Sequence, residues 1–195
     1  MKTRILVAAL AALTVPGLAA PGPVAAQADR LARVGEHQLG SKSATLACPG
    51  GSVLVGLQIR AGTYVDGFQL RCAEPSRSGL GRHFEGPRLF GLNLAGGLPG
   101  ISSRTATAVC PRNHVLAGIK ARAGDWVDRI MSIRCIEYRR TSVTYRDVGM
   151  GGTGGRVHRA YCQPGDAVTE MRVQTGGWMN YFTLTCSPQA TQDRE

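Results

Sequence analysis

Three stretches of the sequence open and close on cysteine and share one internal plan. They are CPGGSVLVGLQIRAGTYVDGFQLRC from Cys48 to Cys72, CPRNHVLAGIKARAGDWVDRIMSIRC from Cys110 to Cys135, and CQPGDAVTEMRVQTGGWMNYFTLTC from Cys162 to Cys186. A plan written three times confines the chain to folds with three like parts. Counting from the first cysteine, Val53, Val115 and Ala167 stand at position five, and Val55, Ala117 and Thr169 at seven. Leu57, Ile119 and Met171 follow at nine, then Ile59, Ala121 and Val173 at eleven. Apolar residues at every second position predict one inward strand face. Position fourteen is always glycine (Gly62, Gly124, Gly176), which suits a turn with positive φ. Position sixteen is always aromatic (Tyr64, Trp126, Trp178), and position eighteen holds Asp66, Asp128 and Asn180. The closing run alternates again, as Phe68, Leu70, Cys72 and Phe182, Leu184, Cys186. The middle unit carries one extra residue before Cys135, which predicts a β-bulge.

The segments between the units read as strands and turns. Asp29 to Gly40 and Lys42 to Cys48 are the first two strand candidates. Residues 73–87 are polar and rich in Gly, Pro, Ser and Arg, and read as a loop. Arg88 to Leu94 predicts a strand, Ala95 to Gly100 a glycine-rich turn, and Arg104 to Cys110 leads into the second unit. Glu137 to Asp147 alternates Tyr138, Val143 and Tyr145 with polar residues, and GMGGTGG, Gly149 to Gly155, reads as a turn. Val157 to Cys162 opens the third unit. With 26 glycines and no stretch of helical period, the fold class is all-β, about four strands to a repeat. The expected organisation is a single domain over 29–187, in repeats of about 29–75, 88–138 and 139–187, followed by a disordered tail at 188–195.

Residues 1–26 are set apart. Lys2 and Arg4 precede an apolar run from Ile5 to Ala20, and small residues follow at Val24, Ala25 and Ala26. This is the plan of a signal peptide cleaved after Ala26, or after Ala28, and it implies a secreted or periplasmic protein. The run is short for a membrane anchor, Pro16 and Gly17 interrupt it, and no other stretch is apolar enough to span a bilayer. All six cysteines lie beyond it, an even count in an exported chain, which favours three disulfides. No Cys-x-x-Cys pair occurs, so the sequence offers no metal site, and no cofactor motif is present. Six cysteines allow fifteen pairings. The repeat makes Cys48–Cys72, Cys110–Cys135 and Cys162–Cys186 the simplest, each within one sheet.

The formal charge of +10 falls to +8 once Lys2 and Arg4 are removed. Such a balance attracts acidic polysaccharide, nucleic acid or an anionic surface. The arginines are scattered, however, and nothing in the sequence marks a specific nucleic-acid partner.

GTYVDGFQL at Gly62 to Leu70 and GDWVDRIMS at Gly124 to Ser132 resemble the Gly-x-x-x-Asp signature of jacalin-like lectins, and GMGGTGG resembles their glycine-rich turn. The cysteine-closed units and threefold repetition also resemble the vitelline membrane outer layer protein I family. Both resemblances imply the β-prism I fold, three four-stranded Greek-key sheets about a pseudo-threefold axis, here with one disulfide per repeat. Two departures stand out: jacalin-type lectins are not generally built around a cysteine pair in each sheet, and the third motif ends in Asn180.

The lectin resemblance implies that Asp66 and Asp128 accept hydrogen bonds from sugar hydroxyls, with Asn180 as an uncharged counterpart. Gly62, Gly124 and Gly176 would let the backbone approach a ligand, while Tyr64, Trp126 and Trp178 would stack on a sugar face. Carbohydrate is the partner that the resemblance implies; anionic polysaccharide follows separately from the net charge. The same residues also describe a purely structural turn, in which Asp or Asn caps its own backbone and the aromatic plugs the sheet end. A structural or interaction protein of an envelope or extracellular matrix is therefore the alternative. Catalysis has little footing: His37, His83, His114 and His158 occupy unrelated repeat positions, and no nucleophile elbow or metal-binding helix occurs. Asp125 and Asp128 are the one acid pair with a spacing that suggests glycoside hydrolysis, and they read more simply as exposed turn residues.

Overall fold

A computed structural model of the chain describes residues 32–35, 42–76, 78–90 and 103–189. The segment read as a signal peptide, residues 91–102 with the expected turn at Ala95 to Gly100, and residues 190–195 lie outside these residues. Among the described residues there are twelve strands: β1 (Ala32–Gly35), β2 (Lys42–Ala47), β3 (Val53–Ala61), β4 (Val65–Ser76), β5 (Gly79–Phe90), β6 (Arg104–Val109), β7 (His114–Ala123), β8 (Val127–Glu137), β9 (Val143–Gly151), β10 (Arg156–Tyr161), β11 (Asp166–Thr175) and β12 (Met179–Pro188). They form three antiparallel four-stranded sheets, in the orders β5-β4-β3-β6, β10-β7-β8-β9 and β1-β12-β11-β2. Each order is a Greek key in which the cysteine-closed unit supplies the central hairpin. This is the β-prism I arrangement that the resemblance implied.

The sheets are offset from the expected repeats. The strand just before each first cysteine completes the preceding sheet: β6 pairs with β3, β10 with β7, and β2 with β11. The third sheet therefore draws its outer strands from the beginning of the chain, and the fold closes only when both ends are present. The disulfides are the three expected ones. They join different sheets, however, and not two strands of one sheet. Cys48 follows β2 and bonds Cys72 on β4, Cys110 follows β6 and bonds Cys135 on β8, and Cys162 follows β10 and bonds Cys186 on β12. Together they staple the three sheets into a ring.

Residues 73–87, read as a loop, are mostly strand: β4 continues to Ser76 and β5 begins at Gly79. β5 is an outer strand that pairs with β4 alone, so Pro87 costs no ladder bond on its open side. Its polar residues face water, while Phe84 and Leu89 pack on the core. Gly149 to Gly151, read as part of a turn, extend β9. At the other end of the chain Ser187 and Pro188 belong to β12. Gln189, assigned to the tail, is buried, and its amide donates to the carbonyls of Glu137 and Arg140 in the β8–β9 turn.

The inward face also needed correction. A register shift common to all three hairpins leaves Val55, Ala117 and Thr169 as extra residues in β3, β7 and β11. One extra residue inverts a period of two. Leu54, Leu116 and Val168 consequently point into the main core with the residues at nine and eleven. Val53, Val55, Val115, Ala117 and Ala167 join a second cluster with Ala73, Leu80, Ile136 and Tyr138. The bulge also exposes carbonyls that the next strand uses: the Cys110 amide donates to Val55 (2.8 Å) and the Cys162 amide to Ala117 (2.9 Å). The extra residue of the middle unit is Met131, bulged from β8 between Ile130 and Ser132, as the count of residues predicted.

Candidate functional site

Each central hairpin reverses over three residues: Gly62 to Tyr64, Gly124 to Trp126, and Gly176 to Trp178. In each the glycine N–H donates to the aromatic carbonyl two residues on, at 3.0, 3.0 and 2.9 Å. None of these glycines has the positive φ that the repeat suggested; in this region it is Gly149, Gly151 and Gly155 that do. The three turns meet at one end of the prism. The Tyr64 ring lies 5.2 Å from Trp126 and 5.0 Å from Trp178, and the two indoles are 5.5 Å apart. The position-sixteen aromatics thus form a closed triangle, half-buried, that plugs the prism end.

Beneath this plug Val65, Val127 and Met179 are fully buried. The next residue in each hairpin is Asp66, Asp128 or Asn180, and a second register shift leaves each without a residue opposite it. Such a bulge re-aims a side chain, and here it turns all three away from water. Asp66 is 3 % exposed, Asp128 8 % and Asn180 2 %. The expectation that Asp128 is an exposed turn residue is therefore corrected. Asp66 Oδ2 accepts a 2.6 Å bond from the Ser103 hydroxyl, with Arg60 Nε 3.9 Å away. Both Asp128 oxygens face the backbone of the glycine-rich turn: a methyl group built on Gly154 would lie 2.4 Å from Oδ1, and one on Gly155 2.4 Å from Oδ2.

That turn joins β9 to β10 and meets the β3–β4 turn of the adjacent sheet. The Gly152 amide donates to the carbonyls of both Asp128 (2.9 Å) and Thr63 (3.0 Å), the latter in the adjacent hairpin turn. Arg122 donates from Nε to the Gly154 carbonyl (2.7 Å) and from Nη2 to that of Gly155 (2.9 Å), while Arg129 reaches Gly152 at 3.4 Å. A cleft of about 450 Å³ opens beside them, lined by Arg122, Arg129, Met131, Asp147, Val148, Gly149 and Thr153.

Burial pushes the Asp128 carboxyl above its ordinary range; the Gly124 amide and the Arg122 charge oppose that shift without cancelling it. A raised pKa in the folded state means that the native chain holds the proton longer than the unfolded chain does. Ionisation of Asp128 therefore lowers stability as pH rises through this interval. Asp128→Asn, which installs the residue found at the same position of the third unit, is expected to fold and to remove that dependence. Thermal melts between about pH 3 and pH 7 should show the native chain losing ground to the variant as pH rises. A constant or opposite difference contradicts the assignment.

The fold brings all nine predicted residues to one end of the prism, but in different roles. The glycines and the aromatic edges meet solvent, whereas the carboxylates and Asn180 lie behind them. Sequence reading missed Thr63, Ser103, Arg122 and Arg129; only the glycine string at Gly149 to Gly155 gave a signal that backbone would pass close to a side chain. Asp125, exposed on the turn, and Asp128, buried under it, do not form an accessible pair.

The chain's fold is that of the jacalin-related β-prism I lectins. The crystal structure of Calystegia sepium agglutinin aligns with a TM-score of 0.54 at 12 % identity, over 82 % of this chain and 97 % of that one. Calsepa lectin in complex with a biantennary N-glycan gives 0.53 at 13 % identity, over 82 % and 97 %. Frutalin from Artocarpus incisa gives 0.51 at 12 % identity, over 82 % and 95 %. No protein-family model and no curated protein matches the sequence.

Proposed function

We propose that this is an exported, non-catalytic lectin-like protein that binds carbohydrate at the end of the prism where the Gly-x-aromatic-x-Asp turns meet. The observation that carries the reading is the joining, in one sheet, of the Gly124–Asp128 turn with the glycine-rich turn at 152–155, beside a cleft. Gly124 is exposed with open space beside it, so a ligand's hydroxyls can approach that turn closely, and the half-buried edges of Trp126, Tyr64 and Trp178 offer apolar contact. Gly62, Gly124 and Gly176 belong to the contact surface. Asp66, Asp128 and Asn180 hold the turns in shape and act through them. Solved structures with this fold include a lectin in complex with an N-glycan, and three disulfides fit an oxidising compartment outside the cytoplasm.

Gly124 provides a clean test. It is exposed, its φ is not in the left-handed region, and an added Cβ would have no neighbour nearer than 3.9 Å. Gly124→Gln is therefore expected to leave the melting temperature unchanged and to cover the turn. On a glycan array it should weaken binding about tenfold, equivalent to roughly 1.4 kcal/mol. Unchanged binding by Gly124→Gln would move the site elsewhere.

A second reading, a structural or interaction protein of an envelope or matrix, is favoured by the burial of Asp66, Asp128 and Asn180 and by the closed aromatic triangle. Native protein that binds no immobilised glycan would establish this second reading over the first.

A further inference from the structure

The three sheets have equivalent outward faces but very different charge. The outward residues of β7–β10 form rows across the sheet: Tyr145, Arg134, Gly118 and Tyr161; then Asp147, Ser132, Lys120 and Arg159; then Arg129, Arg122 and Val157. This face holds five cations against the single acid Asp147. Among the described residues, the face of β3–β6 has Arg60, Arg71 and Arg88 with Glu85, and that of the third sheet has Arg33 and Arg172 with Glu170.

The repeat itself shows what changed. Arg71 and Arg134 occupy matching places, opposite Gly56 and Gly118. In the first sheet the strand on the other side places Glu85 opposite Arg71, and the two form an ion pair at 2.7 Å. In the second sheet Tyr145 stands there instead. The Arg134 guanidinium lies 5.3 Å from the Tyr161 ring, its Nη1 donates to the Cys162 carbonyl (2.9 Å), and its buried Nε has no hydrogen-bond partner among the described residues. Tyr145 and Tyr161, on the two outer strands, lean over Arg134 and bare Gly118 until their rings are 6.2 Å apart, and Tyr145 stays 54 % exposed. From this tyrosine pair to Arg122 is four residues of β7, roughly 13 Å at about 3.3 Å per residue.

We propose that the outward face of β7–β10 is a second binding site, for an anionic polysaccharide. Lys120 and Arg159, adjacent on paired strands, and the arginines of the cleft receive its acidic groups. The exposed Tyr145 face receives a sugar ring. The site adjoins the turn end at the cleft, where Arg122 and Arg129 hold the glycine-rich turn, but Lys120 and Arg159 lie on the strands outside the turns, so its test is independent of the turn-end site. An acidic glycan fits better than a polynucleotide because the disulfides place the protein in an oxidising compartment.

The test measures binding of the native protein to dextran sulfate, to polygalacturonate and to neutral dextran. Binding to either polyanion but not to dextran, weakened steeply by salt, is expected; which polyanion binds identifies the acidic group. Lys120→Glu/Arg159→Glu should reduce that binding tenfold or more with an unchanged melting temperature. Arg33→Glu/Arg172→Glu, the same change of charge on the third sheet, should reduce it less than twofold. Equal losses in the two variants, tighter binding to single-stranded DNA, or no binding to either polyanion would each overturn the proposal. Neutral-glycan binding at the turns, measured on the Lys120→Glu/Arg159→Glu variant, keeps this outcome distinct from that of the turn-end site.

Discussion

Phe182→Ala is expected to lower stability by about 3–5 kcal/mol, the range for removing a buried aromatic side chain. Phe182 is fully buried on β12 and meets Phe68 of β4 edge to face, with ring centroids 5.5 Å apart and planes at 83°. The two rings belong to different sheets and stand at the same repeat position, where the middle unit has Ile130. One ring layer thus joins the sheets at the centre of the prism, and no single sheet can close the resulting cavity by shifting alone. Denaturant unfolding with the disulfides intact measures the loss. A double-mutant cycle with Phe68→Ala should return a coupling of about 0.5–1.5 kcal/mol for the ring contact itself. A loss below about 1.5 kcal/mol for Phe182→Ala would mean that the layer is not the centre of the core.

Replacing Cys110 and Cys135 together by alanine is expected to cost about 3 kcal/mol, within a range of roughly 2–5 for native bonds in small exported domains. The bond closes a 25-residue separation and has a Cα–Cα distance of 5.7 Å. Its position adds a specific consequence. Cys110 directly follows β6, an outer strand held in its sheet by β3 alone, and the bond ties that end to β8 of the next sheet. Hydrogen exchange in the variant should therefore rise first in the β6 amides, with β7 and β8 protected for longer. Uniform loss of protection across all three sheets would contradict the stapling role.

Much of this architecture was legible because it was written three times. Period-two alternation identified the hairpins, the single extra residue identified the bulge at Met131, and cysteine positions within each unit identified the bonds. The failures have separate causes. The outer strand β5 carries Gly79, Gly81, Gly86 and Pro87 and meets β4 with two register shifts, so its residues keep no period of two and read as a loop. The inversion at Val55, Ala117 and Thr169 depends on a backbone kink that alternation does not reveal. The candidate site failed in the same way at one point: Gly-x-aromatic-x-Asp locates a turn, yet the direction of the Asp side chain is set by the bulge at that residue.

Cys110 to Cys135 and its two counterparts thus determined by themselves the number of sheets, their central hairpins, the disulfide pairs and the residues gathered at one end. Composition and order along the chain suffice for that, because each unit forms by local pairing. Only the tertiary structure decided which outer strand completes which sheet, since those pairings join residues far apart in sequence. It also decided that the three aromatics close on one another, that Asp66, Asp128 and Asn180 lie beneath them, and that the cations of β7 to β10 share a face. The first is a relation between sheets, set by the packing of three like parts around one axis; the second follows from a bulge within each hairpin, and the third from the pairing of outer strands within one sheet.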